Sequence, residues 1–507
     1  MSTLANTNRS LSDWQAMAAG LNIQTGLFID GHYQSAKRQG SFASVNPATG
    51  QTLAMMALGE ACDVDAAVAN AQVAWRDGRW HKLAPRQRMD VMFNWANLVE
   101  QHGDELALLE CLDMGKPITD VLNIDLPDVL RTIRFFAECI DKLEGAVTHT
   151  AANALHTIVH EPLGVVGAIT PWNYPLLLAV WKLAPILAAG NCVVLKPAEQ
   201  APLSCTRLAQ LFVQAGGPAG VFNVVNGTGQ EAGRALALHH DVAKITFTGS
   251  TAVGKLLMGY SGQSNMKRVA LETGGKSPQI FMPDLYDLDA AVDRAVGGIF
   301  DNAGQVCNAG SRLLVHRSLH DPFVERFVAR TRELYQPGDP LDPATTLGPL
   351  ASHVHLGNVQ RRMDQALADG ATQVLPTPAS SPVFSGPGAF CAPALFVGAH
   401  NRMAIVQEEV FGPVATVQAF DTEQEALMLA NDCQFGLAAS VWTSNLNTAH
   451  RMVSALEAGV TWVNCFGDGD MSQPFGGYKL SGNSRDKHAS SLTSYMQIKS
   501  SWFNLQR

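Results

Sequence analysis

The segment ALETGGKS (270–277) carries residue types that could take part in two different reactions. Its end, GKS, resembles that of a phosphate-binding loop of the form GxxxxGK[ST], but Ala270 stands where the first glycine is required. Alternatively, Glu272 is a carboxylate among small and apolar residues that could take a proton from water. The first interpretation predicts a nucleoside triphosphatase and the second a general base, so the rest of the chain must distinguish them.

A second glycine-rich segment, FTGSTAVGKLL (247–257), also has the spacing of a phosphate-binding loop. Gly249 and Gly254 fit that loop, but Leu256 stands where a Ser or Thr must bind Mg²⁺. Neither this segment nor ALETGGKS is followed by an obvious apolar strand that ends in a metal-binding Asp. A nucleoside triphosphatase is therefore a remote alternative, and its activity would require Mg²⁺ and Lys276.

Two helix starts could instead bind the phosphates of a dinucleotide. GTGQEAG (227–233), which contains Gly229, follows the apolar run VFNVV but has one residue too many for a dinucleotide fingerprint. Gly249 and Ser250 end a predicted strand and begin a predicted helix, so backbone N–H groups and the positive helix end are available to an anion. A pyrophosphate fits that position without Mg²⁺.

The elements that must position these residues alternate between short apolar runs and helix-like segments. Between about 164 and 271, five apolar runs are separated by predicted helices at 175–189, 201–215, 229–239 and 252–260. This alternation is typical of a parallel sheet covered by helices on both faces. We therefore predict a doubly wound α/β domain with ligands at the carboxyl ends of its strands.

A second α/β unit is predicted after Pro278. Its strand-like runs are PQIFM, VATVQAF, GLAASVWT and VTWVN, and its predicted helices cover 288–303, 321–334, 423–431 and 446–458. Two further amphipathic helices are predicted at 62–78 and 85–114. The Pro-, Gly- and Ser-rich segment 376–393 is predicted to be a surface excursion.

The composition argues against several classes of protein. The chain has 507 residues, of which 47% are hydrophobic and 16% charged, as expected of a globular protein with two or three domains. A net charge of −9 without a long Lys/Arg run argues against a nucleic-acid partner. Nine scattered cysteines without a CxxC pair indicate neither a disulfide framework nor a zinc site, so we expect a cytoplasmic protein without a bound metal.

One segment, 175–195, imitates a membrane span in length and apolar character. Pro185 and the Gly190-Asn191 pair interrupt it, and a central lysine such as Lys182 costs about 2.5–3.5 kcal/mol in a bilayer. We predict a buried helix, a turn and a buried strand, and no membrane partner.

Seven motifs, in this order and at these spacings, resemble the aldehyde dehydrogenase superfamily from about residue 25 to the C-terminus. They are PWNYP (171–175), LKPAE (195–199), FTGS (247–250), LETGGKSP (271–278), FDNAGQVCNAGSR (300–312), EEVFGP (408–413) and PFGGYKLSG (474–482). No single motif is decisive, but seven in register are very specific. The resemblance implies NAD-dependent oxidation of an aldehyde to a carboxylic acid.

Three residues in these motifs match the catalytic groups of the family. Cys307 matches the nucleophile, which adds to the aldehyde carbonyl and gives a thiohemiacetal that can expel hydride. The Asn173 amide and the Cys307 backbone N–H match the donors to the oxyanion. Glu272 matches the base that activates water to hydrolyse the thioester, and the branch that transfers the acyl group to coenzyme A generally lacks it. Without the resemblance, Cys307 would be interpreted as a small buried residue and Asn173 as a turn residue.

The resemblance also implies which residues hold NAD. Lys196 and Glu199 match positions at the adenosine ribose, where a Glu would repel the 2′-phosphate of NADP and so favour NAD. Glu409 and Phe411 match residues that bind the nicotinamide end of NAD. Without the resemblance, Glu409 would be interpreted as a solvated surface charge and Phe411 as a core residue. The full predicted set of cofactor-binding residues is Trp172, Lys196, Glu199, Gly229, Gly249, Ser250, Gly254, Gly274, Glu409 and Phe411.

An aromatic sleeve and two carboxylates are predicted at the aldehyde tunnel. Alignment to the family places Tyr174, Trp181 and Phe475 along this tunnel, which suits an alkyl chain or a cation. A glycine between Asp468 and Asp470 stands where many relatives carry a bulky residue. An open mouth with two carboxylates favours an aldehyde whose far end is cationic.

The pattern DGDM…PFGGYKxSGNxRDK resembles the polyamine-catabolic branch of the family, close to γ-glutamyl-γ-aminobutyraldehyde dehydrogenase. It predicts an ω-aminoaldehyde or γ-glutamyl-aminoaldehyde as substrate. The alternative is a neutral aliphatic or aromatic aldehyde, with the two Asp residues only making turns. A non-catalytic NAD-binding protein on the same fold is disfavoured, because the matched catalytic residues are all intact.

The resemblance implies three structural parts. A Rossmann-like NAD-binding domain would comprise 1–139 and 162–277, and an α/β catalytic domain 278–485. A small β extension, formed by 140–161 and 486–507, would pair subunits into a homodimer or homotetramer. The strand-like composition of the tail SLTSYMQIKSSWFN fits such edge pairing.

Overall fold

Two seven-stranded sheets frame the structure, a computed structural model that describes residues 9–375 and 382–505. The strands, numbered along the chain, are β1 (Leu27–Ile29), β2 (His32–Gln34), β3 (Ser41–Val45), β4 (Thr52–Ala57), β5 (Ala146–Val147), β6 (Ala154–Pro162), β7 (Val165–Ile169), β8 (Cys192–Lys196), β9 (Phe222–Val224), β10 (Lys244–Thr248), β11 (Arg268–Glu272), β12 (Pro278–Phe281), β13 (Arg312–His316), β14 (Thr372–Gln373), β15 (Ala394–Val397), β16 (Val414–Phe420), β17 (Phe435–Gly436), β18 (Ala438–Trp442), β19 (Val460–Val463), β20 (Tyr478–Lys479) and β21 (Met496–Asn504).

Helices cover the sheets and connect their strands. Numbered in the same way, they are α1 (Leu11–Ala19), α2 (Ala61–Asp77), α3 (Pro85–Gln101), α4 (Gly103–Met114), α5 (Ile118–Asp120), α6 (Leu126–Cys139), α7 (Pro175–Ala188), α8 (Leu203–Gln214), α9 (Arg234–Leu238), α10 (Thr251–Gln263), α11 (Leu288–Phe300), α12 (His320–Leu334), α13 (His353–Ala368), α14 (Ala404–Gln407), α15 (Glu423–Asn431), α16 (Leu446–Ala455) and α17 (Ser490–Ser494).

The first sheet has the strand order β11-β10-β7-β8-β9-β1-β2. Strands β7 to β11 run parallel, and β1 and β2 extend the sheet antiparallel at one edge. Every residue of β7, β8 and β10 is buried, as expected for strands covered on both faces. The predicted doubly wound α/β class is confirmed.

The second sheet has the order β14-β15-β16-β13-β12-β18-β19 and is parallel except for β14. The strands expected from PQIFM, VATVQAF, GLAASVWT and VTWVN are β12, β16, β18 and β19. Two central strands, β13 and β15, and the long helix α13 were not predicted. Helix α13 buries Val359 and Ala366 and packs Leu356 and Met363 against the same core, so its apolar residues do have helical spacing.

Three predicted helices end or break differently in the structure. The segment 85–114 forms two helices, α3 and α4, because His102 between them leaves the helical region at φ −98° and ψ 19°. The segment 229–239 begins as a π turn, Gly229–Gly233, before α9. The helix predicted to reach residue 303 ends at Phe300.

The apolar segment 175–195 forms α7, a turn and β8, as predicted. Gly190 makes the turn at φ 90°, a conformation that favours glycine. Within the described ranges, no helix is both long and apolar enough to cross a membrane.

The predicted surface excursion at 376–393 is only partly correct. Residues 376–381 lie outside the described residues. The end of the segment, 389–392, is buried, because the backbone N–H of Ala389 donates to the carbonyl of Pro47 at 2.8 Å and seats this stretch against the N-terminal region.

A third sheet, β21-β6-β5, joins the end of the described chain to its middle. Strands β21 and β6 pair antiparallel over nine residues, from Met496 opposite Pro162 to Asn504 opposite Ala154. The strand expected from the tail is therefore present, and a short helix, α17, precedes it.

A cluster of aromatic rings holds the helices against the first sheet. Phe212 is fully buried, and its ring lies 5.6 Å from those of Trp80 and Trp95 and 6.0 Å from that of Phe222. Edge-to-face contacts of this kind add to the stabilisation from buried area. Phe212 is therefore a central packing element of this domain.

We expect Phe212→Ala to lower the free energy of unfolding by about 3–5 kcal/mol, because it removes the shared ring and leaves a cavity. Urea denaturation monitored by tryptophan fluorescence would measure the change. The control is Tyr286→Ala, which removes a ring that is 95% exposed and should change the stability by less than about 0.5 kcal/mol. Equal effects of the two variants would contradict the packing role.

Candidate active site

A cavity of about 230 Å³ opens where the carboxyl ends of the first sheet face the second. Its lining residues come from both sheets and from α13, and are Pro171, Trp172, Asn173, Leu178, Thr248, Gly249, Ser250, Thr273, Gly274, Cys307, His355, Glu409 and Phe411. Many of the residues predicted from the motifs thus meet in one place.

The parallel strands explain why these residues converge. Strand β7 ends just before Trp172 and Asn173, β10 ends before Gly249, and β11 ends at Glu272. Carboxyl ends of parallel strands lie at one edge of a sheet, where ligands bind in doubly wound folds. The cavity therefore occupies the edge that the strand pattern predicted.

Cys307 is held by a loop in an unusual backbone conformation. Asn302, Ala303 and Gly304 are consecutive left-handed residues, with φ of 51°, 53° and 72°. A Cβ at Gly304 would approach the Gly412 carbonyl oxygen to 2.1 Å, so only glycine fits there. Non-glycine residues in this region are strained and persist only where the surroundings fix them.

The side chain of Asn173 binds this loop directly. Its Nδ2 donates to the Gln305 carbonyl at 2.9 Å, and Asn302 donates back to the Asn173 carbonyl at 2.9 Å. The Asn173 side chain is buried, and the second hydrogen of its amide is available to another acceptor. The oxyanion donor predicted by the resemblance is therefore fixed relative to Cys307.

The thiol of Cys307 is protonated at neutral pH. Burial raises the pKa of Cys307 to about 12, and the nearby carboxyls of Glu409 and Glu272 contribute to the increase. A thiol is a much weaker nucleophile than a thiolate. The site must therefore remove the proton, or change its surroundings, before Cys307 can attack.

Glu272 is buried at the end of β11. Its Oε1 accepts a hydrogen bond from the Ser484 hydroxyl at 2.7 Å, whereas its Oε2 has no partner among the residues that the structure describes. Burial is the main cause that raises the pKa of Glu272 well above its ordinary value, and the nearby Asp486 carboxylate is the second cause. Asp486 itself binds the Lys182 ammonium at 2.9 Å. A carboxyl with a raised pKa suits a general base that works near neutral pH.

Glu409 approaches the turn after β11 from the second sheet. Its Oε1 accepts from the Gly275 N–H at 3.0 Å, and burial raises its pKa to about 7. A Cβ at Gly274 would lie 2.1 Å from Glu409 Oε2. The glycine predicted to bind the cofactor is thus also required by the close approach of this carboxylate.

Aromatic rings form one wall of the cavity. The ring centroids of Trp172 and Phe411 are 5.3 Å apart and nearly perpendicular, and Phe411 has a left-handed backbone at φ 58°. His355 lies 5.2 Å from Trp172, and its Nε2 is 2.7 Å from the Phe411 carbonyl oxygen. His355 was missed from the sequence because α13 was not predicted and no motif contains it.

Other predicted cofactor residues lie outside the cavity lining. Lys196 ends β8, the strand next to β7, and its ammonium binds Glu199 at 2.9 Å. Gly229 is the first residue of the π turn. This turn lies close to Lys196, because a Cβ added at Gly233 would touch the Lys196 side chain. These residues continue the same sheet edge, whereas Gly254 lies in α10 against Thr273.

The predicted substrate residues divide into two groups. The ring centroids of Trp181 and Phe475 are 5.2 Å apart, in an edge-on contact. The Lys116 ammonium lies 3.4 Å from the centroid of the Tyr174 ring. The Asp470 carboxylate instead accepts from the N–H and hydroxyl of Ser472, which makes a turn.

Asp468 has one contact near its own loop and one with α11. Its carbonyl accepts from the Trp462 indole at 2.7 Å, and its carboxylate lies 3.8 Å from the Arg294 guanidinium. Asp470 thus has the turn-making contacts that the alternative interpretation expected, whereas the Asp468 carboxylate faces Arg294 of α11.

The nucleoside triphosphatase interpretation of ALETGGKS is wrong. The segment leads into a strand, β12, whereas a phosphate-binding loop leads into a helix. Lys276 is 2% exposed and Ser277 is 1% exposed, so neither can reach a nucleotide.

Comparison with known proteins agrees with this geometry. Residues 33–501 match the sequence profile of the aldehyde dehydrogenase family. The chain belongs to that family. It is 46% identical to the NADP/NAD-dependent aldehyde dehydrogenase PuuC of Escherichia coli K12, over 98% of this chain and 99% of PuuC. It is 44% identical to an aminoacetaldehyde dehydrogenase of Pseudomonas aeruginosa, over 98% and 99% of the two chains.

Solved structures of other aldehyde dehydrogenases have the same fold. An indole-3-acetaldehyde dehydrogenase in complex with NAD⁺ superposes with a TM-score of 0.96 at 46% identity, covering 98% of this chain and 100% of the other. The γ-glutamyl-γ-aminobutyraldehyde dehydrogenase of Burkholderia cenocepacia does so with a TM-score of 0.95 at 47% identity and the same coverage. This chain is an NAD-dependent aldehyde dehydrogenase.

The cavity of this aldehyde dehydrogenase fits a bound dinucleotide. The hydroxyl oxygen of Thr248, which lines the cavity, is buried without a partner among the described residues. Gly249 and Ser250 begin α10, with the Ser250 side chain accepting from the Val253 N–H. An unsatisfied buried polar atom and a helix N-terminus on one cavity are suited to the phosphates and ribose of NAD.

We expect Glu409→Gln to speed alkylation of Cys307 by iodoacetamide at pH 9. The substitution removes a negative charge that raises the pKa of the thiol, so the thiolate fraction at a fixed pH increases, by about tenfold for each unit by which the pKa falls. Mass spectrometry of the labelled peptide would measure the rate, with Cys307→Ala defining the background.

The matched control is Glu408→Gln. Glu408 is exposed and binds Arg362 on the surface, so its loss should leave the rate of alkylation unchanged. A Glu409→Gln rate equal to or below that of the wild type would contradict the electrostatic explanation.

Proposed function

We propose that this enzyme oxidises its aldehyde through a covalent adduct on Cys307. The observation that carries the proposal is that the thiol, the Asn173 amide and the segment following Glu272 border one cavity. The thiol sulfur adds to the aldehyde carbonyl, and its proton leaves through a neighbouring basic group. NAD held at this site would supply the hydride acceptor, and loss of the hydride from the adduct would leave the acyl group as a thioester on Cys307.

Two donors stabilise the charge that develops on the aldehyde oxygen. The remaining N–H of the Asn173 amide and the backbone N–H of Cys307 take this role. The hydrogen bonds between Asn173 and the Cys307 loop support it, because they fix the amide before substrate arrives. Such fixed donors contribute about 2.7–4 kcal/mol each in comparable sites.

Glu272 acts as the base in the hydrolytic half-reaction. Its unpartnered Oε2 is available to a water molecule, and Ser484 orients the carboxyl through Oε1. Because burial raises the pKa of Glu272, the carboxylate is a stronger base than an exposed one and hydrolysis should accelerate as the pH rises through that pKa.

We propose that the cofactor lies along the edge of the first sheet. Lys196 and Glu199 hold the adenosine ribose, the start of α10 holds the pyrophosphate, and Glu409 and Phe411 hold the nicotinamide end. Trp172 and Gly274 complete the wall of the cofactor site. Gly229 and Gly254 allow the adjoining backbone to approach the cofactor closely.

The substrate class we propose is an ω-aminoaldehyde or γ-glutamyl-aminoaldehyde from polyamine catabolism. The named activities of the Pseudomonas and Burkholderia relatives support it. A neutral aromatic aldehyde is the second candidate, because the indole-3-acetaldehyde dehydrogenase is equally similar and Trp181 and Phe475 form an aromatic surface.

We propose that the parts of the chain are a cofactor domain (1–139 and 162–277), a catalytic domain (278–485) and an oligomerisation extension (140–161 and 486–507). Exposed apolar side chains on the third sheet and on α10 support the assembly of homodimers or homotetramers. These side chains belong to Val147, Val159, Leu256, Met258, Ile498, Trp502 and Phe503.

Glu272→Gln should uncouple hydride transfer from hydrolysis. We expect one burst of NADH, equal to the number of active sites, followed by a steady rate lowered by about 10²–10⁴-fold because water is no longer activated. Stopped-flow absorbance of NADH on a panel of charged and neutral aldehydes would measure both phases. Cys307→Ala should abolish the burst, and steady turnover by Glu272→Gln at the wild-type rate would exclude the proposed base.

Glu199→Gln should improve the use of NADP. Removing the carboxylate beside the ribose removes its repulsion of the 2′-phosphate, so KM for NADP should fall at least about tenfold. Steady-state kinetics with each coenzyme would test this point, which matters because PuuC is named for both coenzymes. The control, Glu325→Gln on the exposed side of α12, should change neither KM, and an unchanged NADP KM in Glu199→Gln would refute the assignment.

A further inference from the structure

A lysine lies in the aromatic part of the proposed substrate tunnel. The Lys487 ammonium is 5.5 Å from the centroid of the Trp181 ring, and Trp181 packs edge-on against Phe475. Lys487 is only 9% exposed, so most of its side chain is removed from bulk water. None of the steps proposed above uses it.

The backbone holds Lys487 in this position. Lys487 and His488 are both left-handed, with φ of 61° and 53°. Asp486 exchanges two backbone hydrogen bonds with Phe475, and the His488 N–H donates to the Met471 carbonyl at 2.8 Å. Two consecutive non-glycine residues in this conformation require surroundings that fix them, and such residues cluster at functional sites.

The ammonium of Lys487 has no close anionic partner of its own. Among the residues for which the structure gives positions, no carboxylate lies within 4 Å of it. Asp128 and Asp470 are near enough to act on its charge, but Asp128 binds Arg131 at 3.2 Å and Asp470 binds Ser472. The ammonium is therefore available to pair with an anionic group of a ligand.

Trp181 supplies a second unsatisfied donor beside it. The indole N–H of Trp181 is buried and has no acceptor among the described residues, and the side chain as a whole is 8% exposed. A buried donor without an acceptor is unfavourable until a ligand or water provides one. An ammonium and an indole N–H at one aromatic surface are both satisfied by a carboxylate.

We propose that Lys487 determines specificity by binding a carboxylate at the far end of the aldehyde. The substrate class is an aldehyde whose far end carries both a carboxylate and an ammonium, with Asp128 and Asp470 within electrostatic range of the ammonium. This inference rests on the proposed function and narrows it. It selects a γ-glutamyl-aminoaldehyde over a simple ω-aminoaldehyde, whose single ammonium would meet a like charge.

Four aldehydes that differ in the charge of the far end test the inference. They are γ-glutamyl-γ-aminobutyraldehyde, adipate semialdehyde, 4-aminobutyraldehyde and hexanal. We expect wild-type kcat/KM to be higher for adipate semialdehyde than for hexanal and to be lowest for 4-aminobutyraldehyde. This comparison needs no variant, so it remains decisive if a substitution impairs folding.

Lys487→Met removes the charge and keeps most of the side-chain length. We expect it to raise KM for the two carboxylate-bearing aldehydes about tenfold or more, because a charge-assisted hydrogen bond is lost. The kcat for these aldehydes and the KM for hexanal should stay within about twofold, and KM for 4-aminobutyraldehyde should fall. Lys487→Arg should restore KM for the carboxylates, and Lys82→Met, on an exposed lysine, is the control.

Each outcome decides the inference. Equal losses on all four aldehydes would assign Lys487 a structural role, and unchanged KM values for the carboxylates would exclude it as their ligand. Turnover of hexanal without any preference for a carboxylate would overturn this inference while leaving the dehydrogenase mechanism intact. Absence of NADH with every aldehyde would overturn both.

Discussion

Burial of ionisable groups around one cavity is the constraint on which the site depends. Glu272 is buried and Cys307 and Glu409 are partly buried, and burial is the largest cause of the raised pKa of each. The thiol is thereby kept neutral and unreactive, while a carboxyl near it becomes a stronger base. Reactivity is therefore set by where the protons reside, because a negative charge on either carboxyl raises the pKa of the thiol.

The backbone accommodates this crowding through a few positions that tolerate no other residue type. The absence of a side chain at Gly274 allows the Glu409 carboxylate to approach the backbone closely. The same holds for Gly304 and the Gly412 carbonyl. The strained turn at Asn302 and Ala303 then presents the Cys307 loop to the Asn173 amide. The two sheets are thus joined at the site by close contacts between backbone and side chain, not by a broad apolar surface alone.

The sequence predicted the parts of this arrangement that depend on local pattern. Buried parallel strands such as β7 and β8 are continuous apolar runs, so the α/β class and the ligand-binding edge could be inferred. Helix α13 and its His355 were missed although the core-facing residues of this helix have helical spacing, because no recognised motif falls within it. The relation between Lys487 and Trp181 was also hidden, since it exists only after distant segments pack together. Asp470 showed the converse problem, because a suggestive charge can simply make a turn.

The pairing of β21 with β6 ties residues 154–162 to residues 496–504, which are translated much later. The segment before α17 supplies Ser484, which orients Glu272, and Asp486, which raises its pKa. Domains fold progressively as a chain leaves the ribosome, at about 5–20 residues per second. The nascent polypeptide can therefore bury its first sheet and form its nucleotide edge long before the hydrolytic base is in its final setting. The base that allows a second turnover therefore obtains its orienting partner from a residue translated 212 positions after it, so the nascent chain forms its nucleotide edge before it forms the groups that orient the hydrolytic base.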